Sequence, residues 1–131
     1  MTVRALVVDD HPVVRGNLRL RLERLGCVVA EAEHATQALE VFRKFEPNLV
    51  TLDLVMPVVN GYTPLALLRD IRRAGGETDV VVISSKTQDR DEFLREGAIE
   101  FLAKPFENFG SLVRKLEPLI QSIAAGTGPS T

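Results

Sequence analysis

Four apolar runs in this 131-residue chain end in polar groups of complementary chemistry. Asp9 and Asp10 close "ALVVDD", Asp53 closes "NLVTLD", Ser84 and Ser85 close "DVVVISS", and Lys104 closes "IEFLAK". Aspartate is a poor strand residue, and a second one adds like-charge repulsion, so the Asp9–Asp10 pair needs a compensating partner elsewhere. If Asp53 joins them, each close pair of carboxylates repels by roughly 4 kcal/mol at an effective dielectric near 20. Lys104 cannot neutralise three acids alone; Lys104 with a divalent cation can. All-oxygen ligands with room for water suit Mg²⁺, and Mn²⁺ fits the same donors. A cation beside a carboxylate, a lysine and a hydroxyl is equipment for phosphoryl transfer, where positioning and charge neutralisation supply most of the catalysis. In that chemistry Asp53 is the nucleophile and becomes an acyl phosphate.

These groups meet only if the runs that carry them are parallel strands. The β-branched runs "ALVVDD", "CVVAEA", "NLVTLDL", "DVVVISS" and "IEFLAK" alternate with stretches whose apolar residues stand three and four apart. Val14, Leu18, Leu22 and Leu25 mark a first helix between Pro12 and Gly26; Ala38, Phe42 and Phe45 mark a second that stops before Pro47. Leu65, Leu68 and Ile71 mark a third, entered through Thr63-Pro64 and left at Gly75-Gly76. A short charged fourth runs from Asp89 to Glu96, ahead of Gly97. The last carries Leu112, Leu116, Ile120 and Ile123, and Pro118 inside it is expected to kink or break it. Five strands alternating with five helices predict an α/β sandwich around a parallel sheet. Every strand then ends at one edge, where ligands bind in such sheets. The domain is expected over residues 1–123, with 124–131, "AAGTGPST", a flexible tail or the start of a linker.

Composition narrows the function classes. The 45% hydrophobic and 26% charged fractions are those of an ordinary globular domain, and no apolar stretch reaches membrane-span length. A net charge of −2 argues against nucleic-acid binding by this domain itself, and nothing suggests a membrane partner. The arginines of "RGNLRLRLERLG" read as a solvated helix face. Cys27, the one cysteine, reads as a small core hydrophobe and fits a reducing cytoplasm. His11 reads as a loop residue at the start of the first helix, His34 as part of a polar turn, and Met56 as loop packing.

Taken in order, "LVVDD", "LDLVMPVVNG", "VVVISS" and "FLAKPF" resemble the receiver domain of bacterial two-component response regulators over about residues 3 to 123. Met56-Pro57 and Gly61, at fixed distances after Asp53, strengthen the likeness. The resemblance implies a flavodoxin-like, doubly wound, five-stranded parallel sheet in the order 2-1-3-4-5 with five helices, a three-layer sandwich. It implies that Asp53 accepts a phosphoryl group from a histidine kinase or a histidine phosphotransfer protein. Asp9, Asp10, Asp53 and the backbone carbonyl of Val55 would hold Mg²⁺, Ser84 would be the switch hydroxyl, and Lys104 would pair with the phosphoryl group. Phe101 falls at the aromatic switch position, expected to rotate inward, and the Lys104–Pro105 bond is expected to be cis. Ser85 stands where a small packing residue is usual. The output face would be the fourth helix, fifth strand and fifth helix, which also allows a homodimer; the downstream protein target is not encoded here.

Several residues depart from the family pattern. Phe101 replaces the frequent tyrosine, the segment from Ser84 to Gly97 is short for a full fourth helix, and Pro118 interrupts the fifth. Val55 and Lys86 occupy positions that tune loss of the phosphoryl group, and an apolar Val55 predicts a long-lived one. Two other readings compete with a phosphorylation-controlled binding module that is not an enzyme on outside substrates. A phosphatase of the haloacid-dehalogenase kind also uses an aspartate nucleophile, Mg²⁺ and a lysine, but carries an Asp-x-Asp pair and a cap. A phosphorylation-independent scaffold would not need the acids and lysine present here. No effector motif follows residue 123 in the sequence, which reads as a stand-alone receiver or as part of a longer regulator joined at "GTGPST".

Overall fold

Four of the helices begin where a side chain accepts one of the unpaired backbone N–H groups of the first turn. In the computed structural model, which describes residues 1–105 and 108–126, α1 (Pro12–Arg24) is capped by His11 and α2 (Ala35–Phe45) by His34. Thr63 caps α3 (Pro64–Arg73) and Asn108 caps α5 (Phe109–Ala124). The fourth helix is short, as its sequence suggested: a 3-10 turn at Thr87–Asp89 leads into α4 (Arg90–Arg95), six residues long. Glu96, just past its end, pairs with Arg69 of α3 at 2.5 Å.

The strands are β1 (Arg4–Val8), β2 (Val28–Ala32), β3 (Leu49–Leu52), β4 (Asp79–Ser84) and β5 (Glu100–Ala103). All pairings are parallel, in the order β2-β1-β3-β4-β5. Strand alternation sends side chains to opposite faces. Ala5 and Val7 of β1, with Val81 and Ile83 of β4, join a core under α1 and α5. Leu6 and Val8, with Val80 and Val82, join a second core that includes residues of α2, α3 and α4. Both faces of the sheet are covered, which accounts for the continuous burial of β3 and β4. This is the flavodoxin-like three-layer sandwich.

Pro118 was expected to kink or break the last helix; it does not break it, and α5 runs unbroken from Phe109 to Ala124. Proline lacks an N–H and deprives the carbonyl of Arg114, four residues back, of its helical partner. Pro118 and Arg114 are both exposed, so water can serve that carbonyl. Leu116, Ile120 and Ile123 meanwhile hold the opposite face in the core. Of the expected tail, residues 127–131 lie outside the described residues. No helix among the described residues is long and apolar enough to cross a membrane.

The loop after β3 is fixed at three points. Asn60 and Gly61 both have positive φ, 56° and 69°, and form a tight turn closed by the Val59–Tyr62 bridge. Thr36 donates its hydroxyl to the Val59 carbonyl at 2.8 Å. Tyr62 donates to Asp70 of α3 at 2.6 Å. Met56 packs against the second core, as expected of a loop-packing residue.

Candidate functional site

Register decides which strand-end groups become neighbours. Val8 of β1 stands opposite Leu52 of β3, so Asp9 and Asp53 leave the sheet side by side, and the Asp53 N–H donates to the Val8 carbonyl at 3.0 Å. Ser84 of β4 stands opposite Ala103 of β5, and the Lys104 N–H donates to the Ser84 carbonyl at 3.0 Å. Lys104 starts two strands from Asp53, roughly 10 Å at ordinary strand spacing, a gap that its long side chain crosses.

Carboxylate oxygens of Asp9, Asp10 and Asp53 lie within 4.8 Å of one another. Lys104 Nζ is 3.2 Å from Asp53 Oδ2 and 3.7 Å from Asp9 Oδ2. The remaining oxygens are also engaged: Asp53 Oδ1 accepts the Val55 N–H at 3.0 Å, and Asp9 Oδ1 accepts the His11 N–H at 2.9 Å. Asp10 is exposed, whereas the Asp9 and Asp53 side chains are each 9% exposed, recessed but reachable. Burial pushes the Asp9 carboxyl above its ordinary range; the His11 N–H opposes that, Asp53 adds to it, and Lys104 opposes it. An apolar cavity of about 290 Å³, lined partly by Val14, Leu18 and Leu112, reaches Asp9, Asp53 and Lys104. On the other side a groove of about 410 Å³ runs past Asp10, Leu54, Val55, Met56, Pro57 and Lys86.

Three carboxylates against one ammonium leave a formal charge of −2 in a recess. The donors are all oxygen, lie close enough to share one partly hydrated cation, and open onto a groove with room for water. That combination fits a hard divalent cation of the Mg²⁺ type.

The other sequence-predicted residues fall as follows. Ser84 is fully buried, and its Oγ accepts the Lys86 N–H at 3.1 Å. Ser85 is exposed and contributes no core packing, a correction to its expected role that follows from its position one residue beyond the strand end. Val55 is 52% exposed at the rim. The Lys104–Pro105 peptide bond is cis. Phe101 is already inside, in the same core as Val82, Phe93 and Ala98, so no inward rotation is needed to reach that place. A tyrosine there would have to bury or bend out its hydroxyl; phenylalanine carries no such group.

Sequence reasoning missed three features. His11 and His34 lie in the loops just ahead of α1 and α2, as expected, but each also caps its helix, accepting an N–H on Nδ1 at 3.4 and 3.0 Å. The arginines of α1 are not all solvated. Arg15 and Arg19 turn to Glu31 of β2, and Arg15 also donates to the Asp9 carbonyl. Arg15 stands six residues after Asp9, a spacing that carries no signal without the register of β2 beside β1.

The chain is thus a doubly wound α/β domain with acids and a lysine gathered at the carboxyl edge of its sheet. The family model for the response regulator receiver domain matches residues 5–117. The chain belongs to that family, part of two-component signalling. Protein CcdB of Bacillus subtilis is 38% identical over 107 residues, 79% of this chain and 87% of its own length. Response regulator MprA of Mycobacterium sp. (strain KMS) is 32% identical over 133 aligned positions; the match covers all of this chain but 56% of that protein. The structure of response regulator TrrA from Thermotoga maritima, in complex with Mg²⁺-BeF, aligns with a TM-score of 0.75 at 29% identity, covering 89% of this chain and 98% of that one.

Proposed function

We propose that the chain accepts a phosphoryl group from a phosphohistidine, on a histidine kinase or a histidine phosphotransfer protein, onto Asp53, and thereby switches its affinity for a partner protein. The observation that carries this reading is the convergence of Asp9, Asp10 and Asp53 within 4.8 Å, with Lys104 Nζ at 3.2 Å from Asp53. In the transfer an Asp53 carboxylate oxygen attacks phosphorus, the P–N bond to imidazole breaks, and an acyl phosphate forms. The Val55 N–H holds one Asp53 oxygen while the Lys104 ammonium offsets charge at the other. Asp9, Asp10 and Asp53, with the Val55 carbonyl, would hold a divalent cation, which when bound would supply further positive charge to the transfer. TrrA, which forms a complex with Mg²⁺-BeF, supports the same pairing here.

The readout is the face of α4, β5 and α5. A hydroxyl on Ser84 can donate to a phosphoryl oxygen, and Phe101 beside it already occupies the inward place. A coupling of about 1–3 kcal/mol changes partner affinity roughly 5- to 150-fold. The test is mass spectrometry after incubation with acetyl phosphate and Mg²⁺. One phosphoryl adduct is expected on Asp53 and none on Asp53→Ala; an adduct on both variants, or on neither, overturns the reading.

A further inference from the structure

We infer that Arg15 is a positioning residue for the cation-binding carboxylates, acting through the backbone of Asp9 while Glu31 holds its guanidinium in place. The inference rests on the proposed reading of Asp9 as a cation ligand. Asp9 lies where the chain leaves β1 and turns into α1. Its N–H donates to the Ala32 carbonyl at 3.0 Å, and its carboxylate accepts the His11 N–H at 2.9 Å. Its carbonyl falls between the sheet ladder and the helix, and a buried carbonyl without a partner is expensive. Arg15 reaches back from the start of α1 and donates Nη1–H to that carbonyl at 2.7 Å.

The guanidinium cannot swing away. Its Nε–H donates to Glu31 Oε1 at 2.8 Å, and Arg19 occupies Glu31 Oε2 at 2.8 Å, so both oxygens of the carboxylate are engaged. Glu31 stands opposite Val7 in the β1–β2 register, two residues before Asp9. Only 16% of the Arg15 side chain is exposed. The Arg19 and Arg15 guanidiniums hold the Glu31 carboxyl below the ordinary glutamate range. A planar fork is needed to bridge a carboxylate and a carbonyl at once; an ammonium keeps the charge without the geometry.

The sign of the effect separates positioning from plain charge. Arg15 is a cation near three acids, so deleting its charge alone would tighten divalent-cation binding. Deleting a positioning contact weakens it, by about tenfold at the low end for groups that orient metal ligands. Calorimetric titration of Mg²⁺ into the metal-free full chain should therefore give weaker binding for Arg15→Ala, and nearly as weak for Arg15→Lys. Arg15→Ala/Glu31→Gln should be no weaker than Arg15→Ala, because both changes remove one clasp. The backbone ¹³C′ resonance of Asp9 in the metal-free protein should move in both Arg15 variants. Unchanged or tighter Mg²⁺ binding by Arg15→Ala, or wild-type binding by Arg15→Lys, overturns the inference. If Arg15→Ala does not fold, Arg15→Lys alone decides. Failure of the wild type to bind Mg²⁺ would instead remove the cation-site reading itself, and this inference with it.

Discussion

Lys104 and Asp53, 51 positions apart in the chain, meet at 3.2 Å, and the same ammonium stands 3.7 Å from Asp9. On the proposed reading, lysine and a divalent cation answer the same excess of negative charge. Lys104→Met should lower the stability of the metal-free protein by about 1–2 kcal/mol, a value reduced from that of a fully buried pair by the partial exposure of the lysine. Saturating Mg²⁺ should close part of the gap in Tm. An equal gap with and without Mg²⁺ would show that the two cations do not share one site.

Asp9→Asn should stabilise the metal-free protein at neutral pH. The amide keeps an oxygen for the His11 N–H and escapes the burial that raises the Asp9 carboxyl. A raised acid destabilises the fold while it is ionised, so the penalty is fully present above its folded pKa. It disappears as pH falls from there to the ordinary aspartate value of about 3.9. The advantage of the variant in urea titrations should be largest near pH 7 and gone below that value. The same variant should lose the Mg²⁺-dependent rise in Tm.

Val55 stands half exposed at the rim beside Asp53 and offers attacking water no side-chain hydrogen bond. The acyl phosphate should consequently persist, and Val55→Asn should shorten its lifetime about tenfold, the worth of one hydrogen bond to the water. Following phosphoprotein by mass spectrometry after donor removal checks both. Loss from the wild type within seconds in Mg²⁺ contradicts the expectation.

Pro118→Ala should raise stability by about 1–3 kcal/mol, measured by urea unfolding, because it restores an N–H to α5 and a better helix former to an exposed position. A neutral or destabilising result would mean that the missing N–H costs α5 nothing at this position.

Much of the fold could be read from residue types. Pro12, Thr63-Pro64 and Gly26 bracket helices because their backbone preferences are local, and alternation of apolar runs with helical periods leaves few arrangements other than a parallel sheet. Once the strands are parallel, Asp9, Asp53, Ser84 and Lys104 must share an edge, since strand direction is common to all. The shortened fourth helix was likewise visible as missing residues between Ser84 and Gly97.

Tertiary structure decided what depends on side-chain direction and on neighbours remote in sequence. Pro118 is tolerated because it and Arg114, whose carbonyl it orphans, both stand on the exposed side of α5, a placement set by which face of the helix meets the sheet. Phe101 sits inside because the core beside Val82 and Phe93 has room for it. Arg15 looks like one more surface charge until β2 lies beside β1 and brings Glu31 within 2.8 Å. The sequence by itself determined which groups reach the carboxyl edge; only packing and register determined their distances, and a charge site is governed by distance.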